Sequence, residues 1–273
     1  MNQIEDAPTE QGGGMQVIPS RGELSPTAVR SMEQVRSQMV IAKQFPRDEL
    51  DRENRVLQAC TRYSLARVAI YTYVRGDTVT GPSIRLAEAI AQRWGNLDYG
   101  WNVVEEREGM SVIEAYCHDL ENNNRASRRW TVKHERSTRR GTIRLTDSRD
   151  VYERIANDAS RRLRACILQT LPHELVQAAL GRCALTIKDG QKNLPLGDRI
   201  TECVREFSKL GVSREMIEKR LSHPVGLTTE EQLVELIGIW NSIHDKQQKR
   251  EDFFVLPEAE KPRAAAADLL EAE

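Results

Sequence analysis

Basic residues are concentrated in the middle of this 273-residue chain. Between Glu121 and Lys192 there are 16 Lys and Arg against 8 Asp and Glu, which gives a local net charge of +8. The whole chain carries −1, so the remaining residues together carry −9. A surface that serves only solubility usually mixes both signs. The clustering therefore predicts that the middle segment contacts an acidic partner, although a solvated charged face is the alternative interpretation.

Most cations in this segment are arginines, which are well suited to phosphate binding. A guanidinium is planar and permanently charged, so it pairs with phosphate oxygens and stacks on exposed bases. We expect two basic runs to line one groove, with the predicted nucleic-acid contacts being Arg128, Arg129, Lys133, Arg139, Arg140, Arg161, Arg162 and Arg164. The rings expected to stack on bases are Tyr99, Trp101 and Trp130, although strand alternation would as readily turn these rings inward.

Signatures of catalytic or metal sites are weak in this sequence. Gly76 and Gly81 have the two-glycine spacing of a phosphate loop, but Pro82 stands where that loop requires lysine. No HExxH spacing occurs, and Cys117-His118 is an isolated pair. We therefore expect no metal, no cofactor and no catalytic residue.

One enzymatic alternative stays open. Asp98 and Glu114 are predicted on adjoining strands, which is an arrangement found in metal-dependent nucleases. The lysine expected one or two residues after Glu114 is absent, because Ala115 and Tyr116 follow it. A nuclease is therefore the less favoured alternative.

Neither export nor membrane insertion is expected. No run approaches the roughly 18 apolar residues of a membrane span. The start MNQIEDAPTEQGGG lacks the basic and apolar regions of a signal peptide. The five cysteines form no CxxC pair and lie in apolar segments, which predicts buried free thiols in a reducing cytoplasm.

Hydrophobic periodicity predicts the elements that position these residues. Helices are expected from Pro26, from Pro46 through Val74, and from Pro82 to Trp94, with a loop between Gly76 and Gly81. A three-stranded antiparallel meander is expected at 97–106, 111–119 and 128–134. Further helices are expected at 148–170, 173–187, 198–209, 213–221 and 228–246.

The predicted fold is α+β, with the meander packed on helices and a small helical domain after it. The boundaries are a disordered tail at 1–24, a DNA-binding core at 25–188, a linker at 189–197, a partner-binding helical domain at 198–254 and a disordered tail at 255–273. The glycines and proline of 188–197 favour the boundary there.

This order of elements resembles the phage single-strand annealing proteins of the RecT and Red beta kind. The segments that carry the resemblance are GPSIRLAEAIAQRWG at 81–95, VIEAYCHDLENNNRASRRWTVKH at 112–134 and SRRLRACILQTLP at 160–172. The run at 212–254 is similar to a helical module found at the C-terminus of phage recombination proteins.

The resemblance implies ATP-independent binding and annealing of single-stranded DNA in homologous recombination. It implies a ring or filament of identical subunits in the cytoplasm of a bacterial host. A phage exonuclease and the host single-strand-binding protein are the partners that it implies. A DNA-binding adaptor or regulator that does not anneal strands is the alternative.

Overall fold

The computed structural model describes residues 26–138, 141–190 and 194–256. Its helices are α1 (Pro26–Gln44), α2 (Glu49–Cys60), α3 (Tyr63–Ala66), α4 (Ile84–Trp94), α5 (Ser148–Thr170), α6 (His173–Asp189), α7 (Leu196–Lys209), α8 (Arg214–Leu221) and α9 (Glu230–His244). Its strands are β1 (Ile70–Arg75), β2 (Asp77–Pro82), β3 (Leu97–Arg107), β4 (Met110–Asp119), β5 (Asn124–Lys133), β6 (Glu135–Thr138) and β7 (Gly141–Arg144). The predicted α+β class is confirmed. Most of the two predicted tails lies outside the described residues, within which no helix is long and apolar enough to cross a bilayer.

The central sheet is the predicted meander, with strand order β3-β4-β5. Ala115 of β4 lies opposite Trp101 of β3 and Arg128 of β5, so these side chains share one face of the sheet. α5 covers that face and has the predicted bounds. Its buried side chains are Ile155, Ala159, Leu163, Cys166 and Ile167, which recur at the helical period.

A second hairpin, β1–β2, replaces elements that were predicted incorrectly. The stretch expected to be helical as far as Val74 contains the four-residue helix α3 and then β1, while the expected loop from Gly76 to Gly81 is largely β2. The run Ile-Tyr-Thr-Tyr-Val is rich in β-branched and aromatic residues, which favour strands. Gly76, at φ +81°, makes the turn between the two strands. Pro82 ends β2, and Ser83 caps α4 by accepting a hydrogen bond from the Leu86 N–H.

α4 buries the predicted face of its helix. Its buried residues are Leu86, Ala87, Ile90, Ala91 and Trp94. A salt-bridge cluster joins the start of α2 to the β4–β5 turn. There the Arg47 guanidinium donates to both carboxylate oxygens of Asp119 at 2.9 and 2.7 Å and to Glu121 at 2.7 Å. All five cysteines are buried free thiols, as predicted.

The third hairpin, β6–β7, lies in a segment where no strand was predicted. It continues directly from β5, and the backbone N–H of Leu145 donates to the carbonyl of His134 at 2.8 Å. The His134 ring is hydrogen-bonded to the Ser111 hydroxyl at 2.8 Å, which ties the base of the hairpin to β4. β5 itself begins at Asn124, four residues before the predicted start.

α9 connects the C-terminal helices to the hairpin β1–β2. The Asn241 amide donates to the carbonyl oxygens of Arg67 and Ile70 at 2.8 and 3.0 Å. Ser242 accepts from the Thr72 N–H at 3.0 Å and donates to the Thr72 carbonyl at 2.7 Å. These buried contacts pack the helical segment directly on the core. Its independence as a domain stays a prediction.

The N-terminus of α9 differs from the predicted one by one residue. Thr229 and Gln232 form the capping box that was expected at Thr228 and Glu231. The Thr229 hydroxyl accepts from the Gln232 N–H, and the Gln232 side chain accepts from the Thr229 N–H. Thr228 instead donates to the Val225 carbonyl and is buried.

Candidate nucleic-acid interface

β5 is an edge strand of the central sheet and carries cations on both faces. Successive side chains of a strand point to opposite faces. Arg125, Arg129 and Lys133 follow one another at intervals of four, so they share the outer face, opposite α5, and all three are exposed. Trp130 and Val132 point toward α5 and pack into its core.

On the outer face two arginines flank one carboxylate. The guanidiniums of Arg125 and Arg129 lie 3.9 and 3.7 Å from the carboxylate of Glu114 on β4. Their side chains stay 51% and 60% exposed, so each retains N–H groups that face solvent. The Arg125 guanidinium also lies over the Tyr116 ring, 5.4 Å from its centroid. Burial raises the pKa of Tyr116 and nearby Asp98 adds to this effect, so the Tyr116 hydroxyl remains protonated at neutral pH.

On the inner face the strand meets α5 through a second pair of arginines. The Arg162 guanidinium stacks on the Trp130 ring at 4.7 Å from its centroid. It also donates to the Asp158 carbonyl oxygen at 3.1 Å. Arg128 is exposed and reaches the amide oxygen of Gln169 at 3.4 Å. The rim between β5 and α5 is therefore also basic.

These two faces together form a surface that we call the β5 edge. It consists of the cations Arg125, Arg128, Arg129, Lys133 and Arg162 with the carboxylates of Glu114 and Asp158. Five positive and two negative groups leave a net charge of +3. At about 3.3 Å per residue the strip from Arg125 to Lys133 is about 26 Å long.

The other two predicted α5 cations do not belong to this surface. Each helical residue is rotated by about 100° from the one before it, so neighbouring arginines diverge. Arg164 stacks on the rings of Tyr71 and Tyr73, with centroid distances of 5.2 and 5.3 Å, and donates to the Tyr73 hydroxyl. Arg161 donates to the carbonyl oxygen of Lys246. Both arginines connect α5 to the β1–β2 hairpin and the end of α9.

Arg161 also lines a cleft of about 250 Å³ in which both signs are present. The charged side chains of this cleft are Arg136, Arg154, Arg161, Lys246, Asp150, Glu153, Asp158 and Asp245. Four cations and four carboxylates leave no positive excess, so this cleft is a weaker phosphate site than the β5 edge.

The three predicted stacking rings lie on the core-facing side of the sheet. Tyr99, Trp101 and Trp130 pack against the buried core, and Trp101 also contacts Tyr152 with ring centroids 5.9 Å apart. Their stacking on bases stays a prediction. Arg139 and Arg140 of the predicted set lie outside the described residues.

The predicted DNA contacts left out two members of the outer face, namely Arg125, which belongs to the basic segment, and Tyr116. The signal for Arg125 is present in the sequence, because its spacing of four from Arg129 places both on the same side of a strand. Tyr116 has no such signal, since its position depends on the β4–β5 register, in which it lies opposite Ser127.

The two carboxylates considered for nuclease chemistry are separated. Asp98 pairs with His118, whereas Glu114 pairs with Asn102, four residues further along β3. Four strand residues span about 13 Å, too far for two ligands of one metal ion. Among residues 26–138, 141–190 and 194–256, no group of three His, Cys, Asp or Glu is placed to hold a metal ion.

Comparisons of the chain with protein-family profiles, with curated proteins and with solved structures gave no match. The function is therefore inferred from the surface of this chain and from the resemblance of its elements.

Proposed function

We propose that this protein binds single-stranded DNA along the β5 edge and accelerates its pairing with a complementary strand without nucleotide hydrolysis. The observation that carries the proposal is the β5 edge itself, which concentrates five cations on one strand and the neighbouring turns of α5. A linear strip of positive charge matches a linear polyanion. Four of the five cations are arginines, which bind phosphate through two donors at once.

The same surface leaves DNA bases available for pairing. Between the cations, the outer face of β5 presents the short side chains of Ser127 and Thr131. Contacts from such a surface go mainly to phosphates, which fix the position of the strand without reading its sequence. Neutralised phosphates repel an incoming strand less, and the released counterions favour binding. Base pairing then supplies the selectivity.

The proposal extends to the partners that the resemblance implies. The protein works as a homo-oligomer in the bacterial cytoplasm, together with a phage exonuclease and the host single-strand-binding protein. The helices α7 to α9 are the segment proposed to recruit a protein partner, because residues 198–254 carry 9 Lys and Arg against 11 Asp and Glu and are therefore net acidic.

Photochemical crosslinking tests where DNA binds. A single strand that contains 5-bromouracil is irradiated with the full chain, and the adducts are mapped by mass spectrometry. Adducts are expected on peptides of β4, β5 and the second half of α5, around Tyr116 and Trp130. Adducts confined to α7 to α9 would contradict the proposal.

A parallel titration separates annealing proteins from adaptors of duplex DNA. The same labelled sequence is offered as a single strand and as a duplex at equal salt, and binding is followed by fluorescence anisotropy. We expect the single strand to bind more tightly. Tighter binding of the duplex would favour the regulator or adaptor instead.

A further inference from the structure

The outer face of the central sheet, turned away from α5, carries a regular array of polar side chains. The register of β3, β4 and β5 places three rows of residues there, each row running across all three strands. The rows are Asp98 with His118 and Arg125, Gly100 with Tyr116 and Ser127, and Asn102 with Glu114 and Arg129. Of these nine residues only His118 is buried. The outer face is therefore an open polar surface with one aromatic ring at its centre.

The two residues that flank Tyr116 across the sheet are small. A Cβ added to Gly100 would lie 3.5 Å from the Tyr116 hydroxyl oxygen and 3.7 Å from two of its ring carbons, so the ring lies over the backbone of β3. A glycine within a strand permits such a close approach. On the β5 side, Ser127 is short and exposed. One side of the ring thus rests on the sheet, and the other side is directed outward.

Arg125 approaches the ring without occupying its centre. Its guanidinium lies 5.4 Å from the ring centroid, which is close to the outer limit of about 6 Å for a cation–π contact. The Arg125 side chain is 51% exposed, and its contact with Glu114 is 3.9 Å long. Exposed ion pairs of this kind hold a side chain only weakly. A flat ligand can therefore stack on Tyr116 with Arg125 beside it.

The charge changes sign across this face. Arg125 and Arg129 lie on β5, whereas the side chains of Asp98 and Asn102 on β3 converge on the Tyr116 hydroxyl. Among the described residues Asp98 forms no salt bridge, in contrast to Glu114. Two strand spacings separate β5 from β3 by about 10 Å. This separation is comparable to the distance from the phosphate of a nucleotide to the far edge of its base.

A carboxylate at the β3 end of the face selects among bases. An ionised carboxylate only accepts hydrogen bonds, and it binds best to two adjacent donors at once. Guanine has two such donors, N1–H and the 2-amino group, side by side on its pairing edge. The other three bases each present one donor group on that edge. The Asn102 amide can in addition donate to the guanine oxygen beside N1–H.

We propose that the outer face binds one guanine nucleotide of the single strand. The base stacks on Tyr116 with its pairing edge toward Asp98 and Asn102, and the phosphate lies on Arg125 and Arg129. This inference rests on the proposed function, because the strand is the one held by the β5 edge. Only one base is held by each copy, so the neighbouring bases remain exposed for pairing.

A titration with three single strands tests the base site. The probes are a labelled oligo(dT) strand and the same strand with one central thymine replaced by guanine or by hypoxanthine, which keeps N1–H but lacks the amino group. Binding to the full chain is followed by fluorescence anisotropy. The guanine strand should bind at least about fivefold more tightly than oligo(dT), since one bidentate contact discriminates by at least this factor. The hypoxanthine strand should lose most of that preference.

Substitutions separate the carboxylate from the ring. Asp98→Asn should bring the ratio of the guanine and oligo(dT) affinities close to one, because the amide cannot accept from both donors. Glu106→Gln removes the same charge from an exposed position further along β3, beyond the bulge, and is the matched control that should keep the ratio. Tyr116→Phe keeps the ring and should retain the preference, whereas Tyr116→Leu should lose most of it.

The outcomes distinguish the base site from the β5 edge. If the guanine strand and oligo(dT) bind the natural chain equally, or if Asp98→Asn keeps the full preference, the guanine site is wrong while DNA binding at the β5 edge stands. If none of the three strands binds, the proposed function is wrong, and the guanine site with it.

Discussion

Neutralising the outer face of the β5 edge should reduce the salt dependence of DNA binding. Each phosphate neutralised on a single strand contributes about −0.7 to the slope of log K against log salt. If all five cations of the β5 edge contact phosphate, the slope of the natural chain is about −3.5. The variant Arg125→Gln, Arg129→Gln, Lys133→Gln keeps two contacts and should have a slope of about −1.4.

The difference is large enough for a simple titration. Between 50 and 200 mM salt, the natural chain should lose about 130-fold in affinity and the triple variant only about 7-fold. Binding of a labelled single strand is measured by fluorescence anisotropy across that range. All three side chains are exposed, so the free energy of unfolding should change by less than about 0.5 kcal/mol for each substitution.

The matched control removes three exposed cations from other elements. Arg55→Gln, Arg214→Gln and Lys219→Gln change the net charge of the chain by the same amount, on α2 and α8. Their slope should stay near −3.5, within the error of the titration. A triple β5 variant that keeps the full slope, or a control that loses as much, would refute the assignment of DNA binding to the β5 edge.

Three further predictions concern the framework of the fold. Gly238→Ala should destabilise the protein by about 1 to 3 kcal/mol in denaturant unfolding, because the added Cβ would overlap β1. Gly181→Ala, in open space on α6, is the control and should stabilise the protein by up to about 1 kcal/mol. If both substitutions changed the free energy of unfolding in the same direction, α9 would not be packed tightly on β1. Arg47→Ala leaves the buried carboxylate of Asp119 without its partner and should lower the free energy of unfolding by about 3 to 5 kcal/mol, whereas a loss below about 1 kcal/mol would contradict this role. Burial raises the pKa of Asp245, but hydrogen bonds from neighbouring side chains outweigh this effect and hold the pKa below its usual range. The ionised carboxylate should therefore stabilise the fold at neutral pH, and this stabilisation should be lost as pH falls below about 4. The difference in free energy of unfolding between the natural chain and the Asp245→Asn variant should shrink in acid, and a difference that stays constant with pH would argue against a role for the ionised carboxylate.

Long periodic segments could be predicted from the sequence alone. α5 repeats its apolar residues over 23 residues, so both of its ends were predicted correctly. In the meander the alternation is clear in β4 but only loose in β3, whose second half is exposed on both faces. The hairpin β1–β2 was missed although its β-branched and aromatic residues favour strands, because the helix that covers it, α9, lies about 160 residues later in the chain. Local pattern carries no information about a partner so distant.

The candidate site was predicted in composition but not in geometry. The basic segment was recognisable, yet the sequence could not show that Arg161 and Arg164 attach α5 to other elements while Arg162 faces β5. Strand alternation separates Arg128 from Arg129, although they are neighbours in the chain. Only the register of β5 against β4 and α5 decides which cations share a surface.

The most direct measurement of the central claim is the rate at which two complementary oligonucleotides pair in the presence of the purified protein. One strand carries a fluorophore and the other a quencher, and no ATP or other nucleotide is added. The natural chain should accelerate quenching, and the triple β5 variant with Arg125, Arg129 and Lys133 neutralised should lose most of the acceleration. Tight binding of the single strand with no gain in pairing rate would contradict the proposed annealing activity and favour a non-annealing DNA-binding protein.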